Sequence, residues 1–82
     1  MAPPERVRVY WRIKGPQGGV LTCALYRTES GLELRVERRA GELIRRETVP
    51  SEAVATFRAS AWKCAALRLS GFVELPLDAS DP

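Results

Sequence analysis

Polar and apolar residues alternate through the first element of the chain. In residues 6–14 (RVRVYWRIK) nearly every second side chain is apolar, which is the period of a β-strand with one buried face. The inner face is then expected to hold Val7, Val9, Trp11 and Ile13. The outer face is expected to hold Arg6, Arg8, Tyr10, Arg12 and Lys14.

Three further strand-like runs follow at 20–27, 32–38 and 42–49, and short glycine-containing segments separate them. Alternating runs joined by loops of two to five residues are typical of hairpins. We therefore predict a four-stranded antiparallel meander. Pairing Lys14 with Val20 places Trp11 opposite Cys23 and Val9 opposite Leu25 on the inner face.

The last hairpin allows two registers. A two-residue turn at Ala40 and Gly41 would place Arg45 in the core beside Val36, whereas a three-residue loop over 39–41 places Ile44 there. We predict the second register, because it keeps the charge out of the core. The predicted inner face is then Val7, Val9, Trp11, Ile13, Leu21, Cys23, Leu25, Leu32, Leu34, Val36 and Ile44.

A helix over 51–70 is predicted to cover that face. Ser51 is a candidate N-cap with Glu52 in the first turn, and Gly71 follows the predicted end. At helical spacing the stripe predicted to face the sheet is Ala53, Val54, Phe57, Ala61, Cys64 and Leu67. The expected fold is α+β: a four-stranded antiparallel meander packed on one face by a single C-terminal amphipathic helix.

The domain is expected to span residues 6–77, with disordered ends at 1–5 and 78–82. The extended segment 72–77 contains Pro76, which interrupts a strand. Two roles for this segment stay open: it covers a second seam of the helix, or it forms a fifth strand.

That second helix seam consists of apolar residues that point away from the predicted core stripe. It comprises Ala55, Trp62, Ala66 and Leu69. Large aromatic residues are enriched at association surfaces. The seam is therefore a candidate interface for a homodimer or another protein partner, unless Phe72 and Val73 cover it.

Charge is unevenly distributed along the 82 residues, whose net charge is +3. Residues 1–50 contain ten Lys/Arg and six Asp/Glu, a balance of +4, so the strand half is the basic half. Cations interleaved with tyrosines on an open sheet suit single-stranded nucleic acid. The predicted contact set is Arg6, Arg8, Tyr10, Arg12, Lys14, Tyr26 and Arg35, with Arg45 on the same face. The alternatives are an acidic protein partner, or a solvated face whose arginines pair with Glu33, Glu37 and Glu47.

Several classes of function lack the residues that they need. The chain has no histidine, and its two cysteines do not suffice for a structural zinc site. No glycine-rich phosphate-binding motif is present. We therefore predict a non-catalytic module without cofactor or metal.

The two cysteines and the chain start bear on the compartment. Cys23 and Cys64 are expected to be free, buried thiols, with a disulfide or a reactive thiol as the alternative. The proline-rich start is not followed by an apolar stretch, and no run is long enough to span a membrane. No signal peptide, no membrane association and a cytoplasmic location are expected.

The element order over residues 6–70, four antiparallel strands and then one helix, resembles the small dimeric single-strand-binding transcriptional coactivators. The resemblance is one of element order, with no motif matched residue by residue. It implies a dimer that binds single strands, and it assigns no binding residue.

Overall fold

A computed structural model describes residues 3–39 and 42–77. The strands are β1 (Glu5–Lys14), β2 (Val20–Thr28), β3 (Gly31–Glu37) and β4 (Leu43–Val49), followed by helix α1 (Glu52–Leu67) and strand β5 (Val73–Leu75). They form one open sheet in the order β4-β3-β2-β1-β5, and every neighbouring pair is antiparallel. Because α1 packs on one face of this sheet, the predicted α+β architecture is confirmed, with five strands instead of four.

The fifth strand comes from the segment whose role the sequence left open. Val73–Leu75 pairs with Arg12–Lys14 of β1 and ends before Pro76. Gly71, at φ 88°, lies between α1 and this strand, and a Cβ there would lie 2.8 Å from Cβ of Pro16. A side chain at position 71 would therefore clash with the β1–β2 loop as well as strain the backbone.

Two irregularities interrupt the pairing of β1 with β2. Trp11 lies opposite Cys23 as predicted, but Val9 lies opposite Ala24 and Arg8 opposite Leu25. The register shifts between Arg6 and Arg8 and again between Val9 and Trp11, as β-bulges do. The predicted pairing of Val9 with Leu25 is therefore wrong, because each bulge inserts a residue that has no partner on β2.

The register of β4 also differs from the prediction. Arg45, and not Ile44, lies opposite Val36, and Ile44 is 49% exposed. The guanidinium of Arg45 lies 4.1 Å from the centre of the Trp62 ring. This stacking lets an arginine occupy the helix side of the sheet, since its stem packs while its charge meets an aromatic face.

Helix α1 turns a different face to the sheet from the one predicted. Ala55, Ala59 and Trp62 are buried, whereas Phe57 is 73% exposed and Cys64 is exposed. Ala53 and Ala61 are exposed as well, whereas Val54 and Leu67 of the predicted stripe do pack against the core. The core comprises Trp11, Ile13, Cys23, Leu25, Leu34, Val36, Val49, Ala55, Ala59 and Trp62.

The close approach of α1 to the sheet explains this orientation. The indole Nε1–H of Trp11 donates a buried hydrogen bond of 2.7 Å to the backbone carbonyl of Ala59. A helix carbonyl is reached this closely only where the facing side chains are small, and Ala55 and Ala59 meet that requirement. Phe57 in their place would push the helix away from Trp11.

The ends of α1 agree more closely with the sequence. Ser51 is the N-cap, and its Oγ accepts a 3.2 Å hydrogen bond from the backbone N–H of Val54. The helix ends at Leu67 with Arg68 as the C-cap, earlier than the predicted residue 70. Of the segments predicted to be disordered, residues 1–2 and 78–82 lie outside the described residues, and Glu5 already belongs to β1.

Candidate nucleic-acid interface

The face of the sheet that lies opposite α1 is built from rows of cross-strand neighbours. Directly paired residues on adjacent strands share a face. The observed pairing defines three rows across β1 to β4: Arg6–Tyr26–Glu33–Thr48, Val9–Ala24–Arg35–Arg46 and Arg12–Thr22–Glu37–Leu43. Lys14, opposite Val20, belongs to the same face. We call this surface the outer face.

Cations outnumber carboxylates on the outer face. The cations are Arg6, Arg12, Lys14, Arg35 and Arg46, and the carboxylates are Glu33 and Glu37. Five predicted contact residues (Arg6, Arg12, Lys14, Tyr26 and Arg35) therefore do share one surface. Arg46 joins them although the sequence did not indicate it, because the register predicted for β4 was wrong. The rejected two-residue turn, which places Arg45 inward, would have placed Arg46 on this face.

Two other predicted contact residues lie near the helix instead. Arg8 Nη2 lies 3.9 Å from Glu52 Oε1 at the start of α1. The hydroxyl of Thr56 in α1 donates a 3.3 Å hydrogen bond to the Tyr10 hydroxyl oxygen, and Tyr10 packs against the core. The two bulges of β1 account for the change, since each shifts the alternation of faces by one residue.

Tyr26 is held by its neighbours on the outer face. The Arg35 guanidinium lies 4.6 Å from the centre of the Tyr26 ring, and the phenol donates a 2.8 Å hydrogen bond to Glu37 Oε1. Burial first, and then this hydrogen bond to Glu37, raise the pKa of Tyr26. With one ring face covered and its hydroxyl bonded, Tyr26 is a poorer stacking platform than an open tyrosine.

The charged side chains in the middle of the outer face bind one another or Tyr26. Arg35 forms a short hydrogen-bonded ion pair with Glu33, and both side chains are partly buried. Glu37 receives the Tyr26 hydroxyl. The other cations of the outer face lie along its two sides: Arg6, Arg12 and Lys14 on β1, and Arg46 on β4. Thr22 and Ala24 lie between them on β2, and Ala24 is only 1% exposed.

Most residues of the predicted partner interface on the helix are buried. Ala55 is fully buried, Trp62 is 8% exposed and Ala66 packs against the core. Only Leu69, 59% exposed just beyond α1, remains accessible. The prediction for Ala55, Trp62 and Ala66 is therefore wrong, because these residues form the contact between helix and sheet.

The two cysteines differ in environment. Both are free thiols, but Cys23 is buried in the core, whereas Cys64 is exposed on α1, so the prediction that Cys64 is buried is wrong. Burial raises the pKa of the Cys23 thiol to about 12. Within the described residues, no three His, Cys, Asp or Glu side chains are grouped to hold a metal ion.

Comparisons with known proteins found no similar family or structure. The chain matches no protein-family model, no curated protein and no solved structure. Across residues 3–39 and 42–77, the structure has no helix of the length and apolarity that crossing a membrane requires.

Proposed function

We propose that this protein is a non-catalytic binding module that holds single-stranded nucleic acid across the outer face of the sheet. Arg6, Arg12 and Lys14 on β1 and Arg46 on β4 contact phosphates. The contribution of ring stacking is small, because Tyr10 lies against the helix and Tyr26 is covered by Arg35.

The observation that carries this proposal is the arrangement of charge on the outer face. The two carboxylates already have partners there, Glu33 in Arg35 and Glu37 in the Tyr26 hydroxyl. The cations of β1 and β4 thus border a surface whose two carboxylates both have hydrogen-bonding partners on the sheet. Such a basic surface attracts a polyanion through counterion release, whatever its base sequence.

The shape of the outer face favours an extended strand. Arg12 and Lys14 lie two residues apart on β1, and side chains at that spacing on a strand are about 6.6 Å apart. An acidic protein segment would be drawn to the same charges, and it is the alternative that the experiment separates.

The test compares two variants of equal charge. Replacing Arg6, Arg12 and Lys14 together with glutamine lowers the net charge from +3 to 0. The same replacement of Arg39, Arg58 and Arg68, which are exposed after β3, on α1 and at its C-cap, also lowers it to 0. Affinity for a labelled single-stranded oligonucleotide is measured by fluorescence anisotropy over a series of salt concentrations. The outer-face variant should lose affinity at least tenfold more than the control.

The salt dependence gives a second readout. Each phosphate contact with a single strand contributes about −0.7 to the slope of log K against log salt, so losing three contacts should flatten the slope by about 2. Equal losses in both triple variants would show that net charge alone drives binding and would overturn the assignment of the surface. Tighter binding of an acidic peptide than of the oligonucleotide would overturn the assignment of the partner.

A further inference from the structure

A cleft of about 330 Å³ lies at one end of the outer face, beside the turn that joins β2 to β3. Its lining includes Pro4, Glu29, Leu32, Glu33, Arg35 and Thr48. Gly31 pairs with Thr28 next to this cleft, and a Cβ on Gly31 would meet no atom within 4 Å. The outer face therefore has a hollow here, of a volume within the range of small-ligand sites.

Glu33 and Arg35 bring fixed hydrogen-bonding groups to the cleft. Their ion pair joins Nε of Arg35 to Oε1 of Glu33, so it does not use the two Nη groups or Oε2. Both side chains are partly buried, and the guanidinium also lies over the Tyr26 ring. One acceptor and two donor groups are thus held side by side before any ligand binds.

We propose that this cleft binds one unstacked cytosine of the single strand on the outer face, an inference that rests on the proposed function. The pairing edge of cytosine presents the N4 amino donor and then two acceptors, N3 and O2. Glu33 Oε2 accepts a hydrogen bond from N4, as carboxylates do from this base. The two Nη groups of Arg35 donate to N3 and O2. Bases of a single strand are commonly read in this way, on their exposed pairing edges.

The other bases match this order of groups less well. Uracil and thymine place their one donor between two acceptors, so the carboxylate would meet an acceptor. Guanine presents one acceptor and two donors, but the ion pair leaves only one carboxylate oxygen outside its bond. Adenine offers one donor and one acceptor and therefore forms one hydrogen bond fewer. Cytosine is the base whose edge has the complementary order.

The proposal gives a role to a carboxylate on a surface for phosphates. Glu33 repels a polyanion, and its pairing with Arg35 reduces that repulsion. As an acceptor for a base, the same carboxylate contributes to binding. Arg6 lies in the same cross-strand row as Glu33, and Arg46 lies directly opposite Arg35. The base therefore enters between two cations that meet the phosphates of the strand.

Two oligonucleotides that differ at this edge test the choice of base. Oligo(dC) and oligo(dU) of equal length have the same ring size and the same backbone charge. Fluorescence anisotropy at about pH 8, where cytosine strands do not pair with one another, gives both affinities. The wild type should bind oligo(dC) about tenfold more tightly or better, since one well-formed base contact contributes that much discrimination. Equal affinities would overturn the cytosine site and leave the proposed function standing, whereas binding of neither would overturn both.

Two carboxylate variants test the role of Glu33. Glu33→Ala and Glu37→Ala both remove a negative charge from the outer face and raise the net charge from +3 to +4. Both should therefore bind oligo(dU) at least as tightly as the wild type. Glu33→Ala should reduce the preference for oligo(dC) to less than about threefold, and Glu37→Ala should keep it. An unchanged preference in Glu33→Ala, or an equal loss in both variants, would mean that Glu33 does not read the base.

Discussion

The two faces of α1 have nearly the same composition, but one is buried against the sheet and the other is exposed. The buried face has Ala55, Ala59 and Trp62, and the exposed face has Ala53, Phe57 and Ala61. Each presents two alanines and one aromatic residue at helical spacing, so hydrophobic periodicity cannot distinguish them. The difference comes from the sheet, which offers specific partners to one face only.

Those partners are an indole and a guanidinium. Trp11 donates its Nε1–H to the Ala59 carbonyl, and Arg45 stacks on the Trp62 ring. The first contact requires a small residue at the point of closest approach. The second contact favours tryptophan over phenylalanine, because cation–π attraction is strongest with tryptophan. A helix rotated to bury Phe57 would lose both.

The largest expected effect is the loss of the aromatic residue on the buried face. Trp62→Ala should lower the free energy of unfolding by about 3–5 kcal/mol, because it leaves a cavity and removes the ring on which Arg45 stacks. Phe57→Ala should change it by less than about 0.5 kcal/mol, because Phe57 is exposed. Urea unfolding followed by circular dichroism at low micromolar concentration measures both values.

The two variants together decide the orientation of the helix. A loss of more than about 2 kcal/mol in Phe57→Ala, with a smaller loss in Trp62→Ala, would mean that α1 presents the predicted Phe57 stripe to the sheet. The low protein concentration keeps any self-association from contributing to the measured stability.

The buried Cys23 and the exposed Cys64 should differ in their effect on stability at alkaline pH. The pKa of Cys23 is about 12 in the folded chain against the ordinary value of 9.0. Above pH 9 the unfolded chain releases this proton and the folded chain keeps it, so stability falls by about 1.4 kcal/mol per pH unit until the folded pKa is reached. Between pH 9 and 10.5 this loss amounts to about 2 kcal/mol.

Two cysteine variants separate this contribution from other alkaline titrations. Cys23→Ala should flatten the fall in stability above pH 9, whereas Cys64→Ala should leave it as steep as in the wild type. Urea unfolding of the wild type and both variants at pH 8.5 and 10.5 gives the six values needed. Identical slopes in all three proteins would show that Cys23 is not buried from water as the structure has it.

The strands were predictable from the sequence, and their irregularities were not. Alternation located four of the strands, and the capping chemistry of Ser51 located the start of the helix. An alternating sequence does not show where a bulge lies, because the residue that follows the bulge can be placed on either face of the sheet. The bulges at Val7 and Tyr10 therefore move the side chains of Arg8 and Tyr10 away from the outer face, although the alternating sequence does not indicate where these bulges lie.

On β4, too, the sequence did not predict which residues face the helix and which face outward. The choice between two turns decided whether Arg45 or Ile44 would face the helix, and avoiding a buried charge favoured Ile44. That argument did not foresee an aromatic ring at the edge of the core, where Trp62 receives the guanidinium of Arg45. The same error concealed Arg46, which the observed register places beside Arg35 on the outer face.

The smallest of these effects concerns the hydrogen bond between sheet and helix. Trp11→Phe keeps an aromatic ring in the core and removes the donor to the Ala59 carbonyl. This carbonyl keeps its helical donor, the N–H four residues on, so no buried group is left unpaired. The free energy of unfolding should therefore fall by only about 1–1.5 kcal/mol.

The reactivity of Cys64 toward a thiol reagent shows whether the helix also turns in Trp11→Phe. If the bond to Ala59 merely strengthens an orientation that Trp62 already sets, Cys64 should react at the wild-type rate while stability falls. If the bond sets the orientation, Cys64 should become protected as its face rotates toward the sheet. We expect the first result, because the large ring of Trp62 and its contact with Arg45 contribute more to the packing of the helix than one hydrogen bond does.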